Sequence, residues 1–427
     1  MRKKVLKTSL GSTASLRTRA RWALSRIKRE GYQIAQRLQG YSKHQRELDF
    51  DQILIGDQCG SSLEKWIQKT GEFDRISVSL KDSPYVRFLQ DVDRDESLLE
   101  DSGFLESHPY FRMAETALRF SGSYFEVTTR EGIFSQMRRF YDLFKTFDES
   151  ASPNFVDDYR HSPPGASITV YAIASSDCYE IRDGHHRAAA RFVRGEKSLN
   201  VEVIGRKQTC LQQIVLRGLQ TTGRHLYQPV QRKEVSSWPV LRQCSDRMQL
   251  MKDFLASDPS RGEPGTMIDL ACCYGWFVSE FKKEGFKALG VDRDENALLV
   301  GKVVYGLKDD DLLAGELLDV LDRSEGSHDV VLFLSILHHF ASGKEHGDVD
   351  AILKKLDGLT KHVLFLDSGQ CHEEWFHKKL VGWDDDFIEQ RILKSTSFQK
   401  VIRLGKDRDN RGDYKDQYAR TLFACVK

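Results

Sequence analysis

Cysteine is sparse and carries no paired spacing. The eight cysteines stand at 59, 178, 210, 244, 272, 273, 371 and 425, without a C-x-x-C pair or the Cys/His spacing of a zinc module. That pattern excludes a disulfide scaffold and a structural zinc site, and it points to a reducing compartment. Long apolar runs are also missing. The longest, around "VVLFLSIL", has the length of a strand and falls far short of the roughly 20 residues of a spanning helix. The N-terminus lacks the apolar core of a secretory signal. Net charge is nearly absent as well: 64 basic against 63 acidic residues leave +1, which argues against a chain coated for nucleic acid.

Charge is distributed unevenly. Residues 1–29 hold ten Lys or Arg and no acid, and the first carboxylate is Glu30. From Thr18 to Leu38 apolar residues recur at helical spacing, with Arg and Lys on the other faces. Three readings stay open: a solvated helix packed on the body, a reversible anchor on an anionic membrane surface, or an organelle transit segment. The anchor reading places the chain in the cytoplasm, peripheral to the inner membrane face.

At 427 residues the chain exceeds one hydrophobic core. The pattern divides it into a basic amphipathic segment (1–40), a mostly helical scaffold (41–150), a small α+β domain (151–210), a helical connector (211–258) and a C-terminal α/β domain (259–427). In the last, "TMIDLAC", "KALGVDRD", "LLAGELLDV", "DVVLFLSIL" and "KHVLFLDS" read as strands alternating with helices, and "FQKVIRL" and "TLFACVK" as a closing pair. That order predicts a parallel sheet wound on both faces.

Ligands of such sheets bind at the carboxyl ends of the strands, where small residues let the backbone approach closely. "IDLACCYGWF" places Asp269 at the end of the first strand, small residues at 271–273 and Gly275 at the helix start. "GVDRD" ends the second strand with Asp292, suited to both hydroxyls of a ribose. A nucleoside cofactor follows from this pair. With "LLDV" and "VLFLSILHHF" added, residues 240–427 resemble the class I S-adenosylmethionine-dependent methyltransferases, above all those acting on glycans and small molecules.

The resemblance implies a Rossmann-like seven-stranded sheet and S-adenosyl-L-methionine as cofactor. It also implies roles for residues. Asp269, Ala271 and Gly275 would face the methionine part, Asp292 the ribose, Asp319 and Val320 the adenine, and Ser335 the cofactor floor. Ala271 and Cys273 depart from the family's three-glycine turn. For a hydroxyl acceptor, His338 or His339 is the candidate base, with His372 behind them; each histidine could equally close its strand by bonding a neighbouring loop.

"YEIRDGHHRAAARF" holds Asp183, Gly184, His185, His186 and Arg187 between a strand and an alanine-rich helix. Adjacent histidines at such a junction point apart, which disfavours a metal. Free helix-start amides with Arg187 suit a phosphate. Residues 155–206 resemble the ParB/sulfiredoxin-like fold, which implies ATP or CTP as a second ligand; sulfiredoxin activity is disfavoured because the turn has no cysteine. The expected function is O-methylation of a sugar, glycan or related small molecule. The alternatives are a ParB-like DNA-binding protein with a non-catalytic methyltransferase fold, and an RNA methyltransferase; the charge balance makes nucleic acid the weaker partner.

Overall fold

The computed structural model describes residues 43–56, 76, 78–125, 127–146, 167–218, 225–257, 264–323, 328–408 and 419–427. The basic N-terminal segment therefore lies outside the described residues.

The upstream part contains β1 (His44–Asp49), β2 (Ile53–Leu54), α1 (Pro84–Arg94), α2 (Ser102–Ser107), α3 (Pro109–Ser121), α4 (Arg130–Thr146), β3 (Ile168–Ile173), β4 (Tyr179–Asp183), α5 (His185–Val193) and β5 (Ser198–Lys207). Local chemistry sets several of these helix starts. Ser83 accepts from the Val86 amide ahead of Pro84, and His108 Nδ1 accepts from the Tyr110 amide ahead of Pro109, so each proline occupies the first turn, where no amide is required.

The strands form one sheet in the order β1-β5-β3-β4-β2, and a single core runs from Leu48 and Phe50 through Tyr85, Tyr110 and Phe140 to Ala189 and Val203. The expected helical scaffold and α+β domain are thus one unit. Strand β1, "HQRELD", pairs antiparallel with β5. It is an edge strand with only Leu48 buried, so it lacks the alternation that identifies a half-buried strand.

A connector follows: α6 (Cys210–Arg217), an irregular stretch, and α7 (Ser245–Ala256). Between its helices this region is less helical than its composition suggests. Met248 and Met251 of α7 belong to the core of the C-terminal unit.

That unit contains β6 (Thr266–Leu270), α8 (Trp276–Lys283), β7 (Lys287–Asp292), α9 (Glu295–Tyr305), β8 (Leu312–Ala314), α10 (Leu317–Arg323), β9 (His328–Leu334), α11 (Leu337–Ala341), α12 (Val349–Leu359), β10 (Thr360–Asp367), α13 (Asp385–Ser395), β11 (Lys400–Lys406) and β12 (Thr421–Val426). The sheet order is β11-β12-β10-β9-β6-β7-β8. All neighbours are parallel except β12, which runs antiparallel to β10 and β11. This is the Rossmann-like seven-stranded α/β sheet expected, with an apolar layer on each face.

One boundary differs. The expected strand "LLAGELLDV" ends at Ala314, and Asp319 and Val320 lie in α10. Gly315 breaks the apolar run, and its amide bonds back to the Asp292 carbonyl at 3.0 Å.

Candidate functional site

The carboxyl ends of β6, β7, β9 and β10 converge on one edge. Asp269 is 2% exposed, and its Oδ2 has no hydrogen-bond partner. Burial pushes its pKa up to about 8; the Asp292 carboxylate adds to the rise and Arg247 opposes it. An orphaned buried carboxylate is costly unless a partner arrives, and a cation is the partner its chemistry asks for.

After β6 the chain turns sharply. Ala271, Cys273 and Gly275 have φ of 66°, 54° and 76°. Gly301 of α9 lets that helix approach: a Cβ there would lie 2.2 Å from the Tyr274 carbonyl oxygen. Asp292, at the end of β7, accepts from the Cys273 amide at 2.7 Å and the Asp294 amide at 2.9 Å. Burial nonetheless raises its pKa. Next to it, the end of β8 presents Glu316, which pairs with Arg293 at 3.8 Å. Asp319 is exposed on α10, so the acid nearest the end of β8 is Glu316, one residue beyond the break at Gly315.

Ser335, with φ of 60°, closes β9. Its hydroxyl donates to Asp367 Oδ1 at 2.7 Å and accepts from Arg242 Nη1 at 2.6 Å. Arg242 also pairs with Asp407, and Arg247 Nη1 donates to Asp367 Oδ2 at 2.8 Å. Burial alone would raise Asp367, but Arg247, Arg242 and Arg420 outweigh it and hold the pKa down to about 2. The two arginines come from the connector, where no local pattern marks them; only their arrival at the sheet edge does.

The histidine pair divides. His338 Nδ1 accepts from the Gly369 amide at 3.0 Å, which leaves the proton of the neutral ring on Nε2. Burial and Arg420 push its pKa well below the usual value. This ring closes its strand onto the loop after β10 and has no free lone pair for base work. His339 is only half-buried; burial and Lys344 bring its pKa down to about 4, so it is neutral at pH 7. His372 is exposed on the loop after β10.

The upstream turn behaves differently from its expected phosphate cradle. Gly184 has φ of 98° and Arg187 pairs with Asp183 at 3.3 Å. His185 and His186, however, point inward. His186 Nε2 bonds the Tyr110 hydroxyl at 2.8 Å, and its ring lies 4.2 Å from that of Phe140 and 4.5 Å from that of Phe125. Burial lowers both pKa values, His185 to about 4, so neither ring carries charge at neutral pH. The two histidines are buried residues whose side chains offer nothing to an anion, because the alanine face of α5 and both rings bury together. Among the described residues no group of three or more His, Cys, Asp or Glu side chains is placed to hold a metal, and no helix is long and apolar enough to cross a membrane.

No protein-family profile matches the chain. It is similar to the O-antigen chain terminator bifunctional methyltransferase/kinase WbdD of Escherichia coli, at 22% identity over 166 residues, which are 38% of this chain and 23% of that protein. The match thus spans about a quarter of the relative's length. A crystal structure of WbdD superposes with a TM-score of 0.41 at 18% identity, covering 51% of this chain and 46% of the other. Magnesium protoporphyrin IX methyltransferase from Synechocystis, with bound S-adenosylmethionine, superposes at 0.31 and 18% identity, covering 43% and 80%. The strand order itself, rather than these superpositions, carries the fold.

Proposed function

We propose that the C-terminal unit binds S-adenosyl-L-methionine and transfers its methyl group to an oxygen of a sugar, glycan or related small molecule. The observation that carries this is the buried Asp269 carboxylate, short of a partner beside the turn that Asp292 ties down. The cofactor's α-ammonium is a cation of the right kind for Asp269, and its ribose hydroxyls can donate to the remaining lone pairs of Asp292. The methyltransferase activity and O-antigen role named for WbdD support the reaction class and the acceptor class.

When bound, the cofactor supplies an electrophilic methyl for in-line displacement. The chain's residues do the remaining work. Asp269 ionises against the ammonium, Asp292 orients the ribose, Ser335 is held rigid by Asp367 and Arg242 as the floor, and Glu316 takes the place beside the adenine first assigned to Asp319. His339 accepts the acceptor's hydroxyl proton and, with its depressed pKa, passes it on to water. Calorimetry tests the reading: heat of binding in wild type, with affinity weakened in Asp269→Asn, is expected, and no heat at millimolar ligand sinks it.

The upstream unit supports a nucleotide or phosphate role only through Arg187 and the first amides of α5, since both histidine rings are withdrawn and the Asp183 carboxylate pairs with Arg187. ATP and CTP therefore stand behind the methyl-transfer reading. The basic segment before Glu30 is read as an anchor on anionic lipid at the inner membrane face, where a lipid-linked glycan would be met.

A further inference from the structure

Two residues with side chains stand in the β6–α8 turn in the left-handed conformation, Ala271 at φ 66° and Cys273 at φ 54°. A Cβ makes that region unfavourable, and such conformations persist only where the surroundings over-determine them. Around Cys273, Asp292 accepts its amide at 2.7 Å and the Gly275 amide donates to the Cys272 carbonyl at 2.9 Å, and one further side chain, Gln228, bonds both flanking peptides at once. Gln228 Nε2 donates to the Cys272 carbonyl at 3.2 Å, and Gln228 Oε1 accepts from the Tyr274 amide at 3.1 Å. These groups belong to the two peptide planes flanking the Cys273 Cα, and fixing both planes fixes its φ and ψ. Gln228 Oε1 also accepts from the Trp276 amide at 3.3 Å, so one carboxamide orientation satisfies all three bonds.

Ala271 is held otherwise, its following peptide bonded through Cys272 N to the Val291 carbonyl at 2.9 Å. Gln228 is 4% exposed and sits on a connector stretch whose Leu226 and Val230 pack with Tyr274, Ala297 and Val300. The same connector is bonded to the upstream unit: Ser237 Oγ donates to the Ser175 carbonyl at 2.7 Å, and Ser176 Oγ to the Lys233 carbonyl at 3.2 Å.

We propose that Gln228 is a positioning residue for the cofactor site, holding Cys273 in the backbone conformation that a glycine would adopt unaided. The clamp takes over the work of the missing glycine, and it makes the turn's shape depend on a segment anchored in the upstream unit. This rests on the cofactor reading of the turn; Gln228 itself touches no reacting atom.

The test uses the full chain, S-adenosylmethionine calorimetry and amide hydrogen exchange without ligand. Gln228→Ala is expected to weaken binding about tenfold, the scale of one left-handed residue released. It should also speed exchange at Tyr274 and Trp276 in the ligand-free protein. Adding Cys273→Gly to that variant should restore most of the affinity, which a merely structural role for Gln228 would not allow. Gln228→Met, close in volume but without the hydrogen bonds, serves where the alanine variant does not fold. Wild-type affinity in Gln228→Ala, or a Gln228→Ala/Cys273→Gly protein as weak as the single variant, overturns the proposal. No binding by wild type removes the cofactor reading, whereas unchanged exchange in the single variant removes the clamp, so the two failures are distinguishable.

Discussion

The Asp292 carboxylate accepts the Cys273 amide at 2.7 Å, so the end of β7 holds the turn that follows β6. Removing this side chain strands two buried amides, those of Cys273 and Asp294. Asp292→Ala is expected to destabilise the protein by about 1–3 kcal/mol and to weaken S-adenosylmethionine binding at least about tenfold. Thermal denaturation and calorimetry measure the two effects; wild-type values in both would show that the contact matters to neither.

Asp269 predicts an inverted pH response. Its folded pKa of about 8 lies above the ordinary 3.8, so the folded state holds the proton more tightly than the unfolded state. Stability from this group is therefore complete below about pH 4 and is lost as pH rises through about 8. Asp269→Asn should match wild type in acid and exceed it in melting temperature above about pH 8. A variant less stable than wild type at every pH would speak against a buried, unpartnered acid.

The Arg242, Arg247 and Asp367 cluster carries the opposite sign. Asp367, held at about 2 against the ordinary 3.8, stabilises the fold above about pH 4, and that contribution disappears as pH falls through about 2. Arg242→Met leaves Asp407 and part of Asp367 without their buried cation and should cost about 3–5 kcal/mol in denaturant unfolding. A cost below about 1 kcal/mol would mean that the pair is no better than a surface contact.

The alternation of strands and helices was legible from residue 266 onward because each strand is a short apolar run bounded by glycine or charge. The connections that complete the site were not. Gln228 and Arg242 lie in an irregular stretch and Arg247 on α7, and only tertiary folding brings them to the sheet edge. Asp319 falls outside the strand because "LLAGELLDV" holds two apolar runs, 312–314 and 317–318, separated by Gly315 and Glu316, and the break at Gly315 depends on its bond to the Asp292 carbonyl. His185 and His186 resemble ligands because they are polar beside a helix start; the partners of His186, Tyr110 and Phe140, and the ring beside His185, Tyr85, lie far away in sequence.

The two histidines at the end of β9 give separable outcomes. His338→Ala should lower the melting temperature, because the Gly369 amide loses its acceptor. His339→Gln should lower kcat for a hydroxyl acceptor by about 10²-fold or more with unchanged S-adenosylmethionine affinity. In wild type, kcat should show no His339 titration between about pH 6 and 8, since that ring titrates near 4. An unchanged kcat in His339→Gln would assign the base elsewhere.

Proton release on cofactor binding addresses the central claim most directly. At about pH 7 Asp269 is mostly protonated in the free protein, and the cofactor's α-ammonium, with an ordinary pKa of about 8, is mostly charged. Seating the ammonium against an ionised Asp269 must therefore expel roughly one proton. Calorimetry at this pH in two buffers of different ionisation enthalpy should show that release in wild type and none in Asp269→Asn. Binding with no proton released, or the same release in the Asn variant, would contradict the assignment of Asp269 to the cofactor.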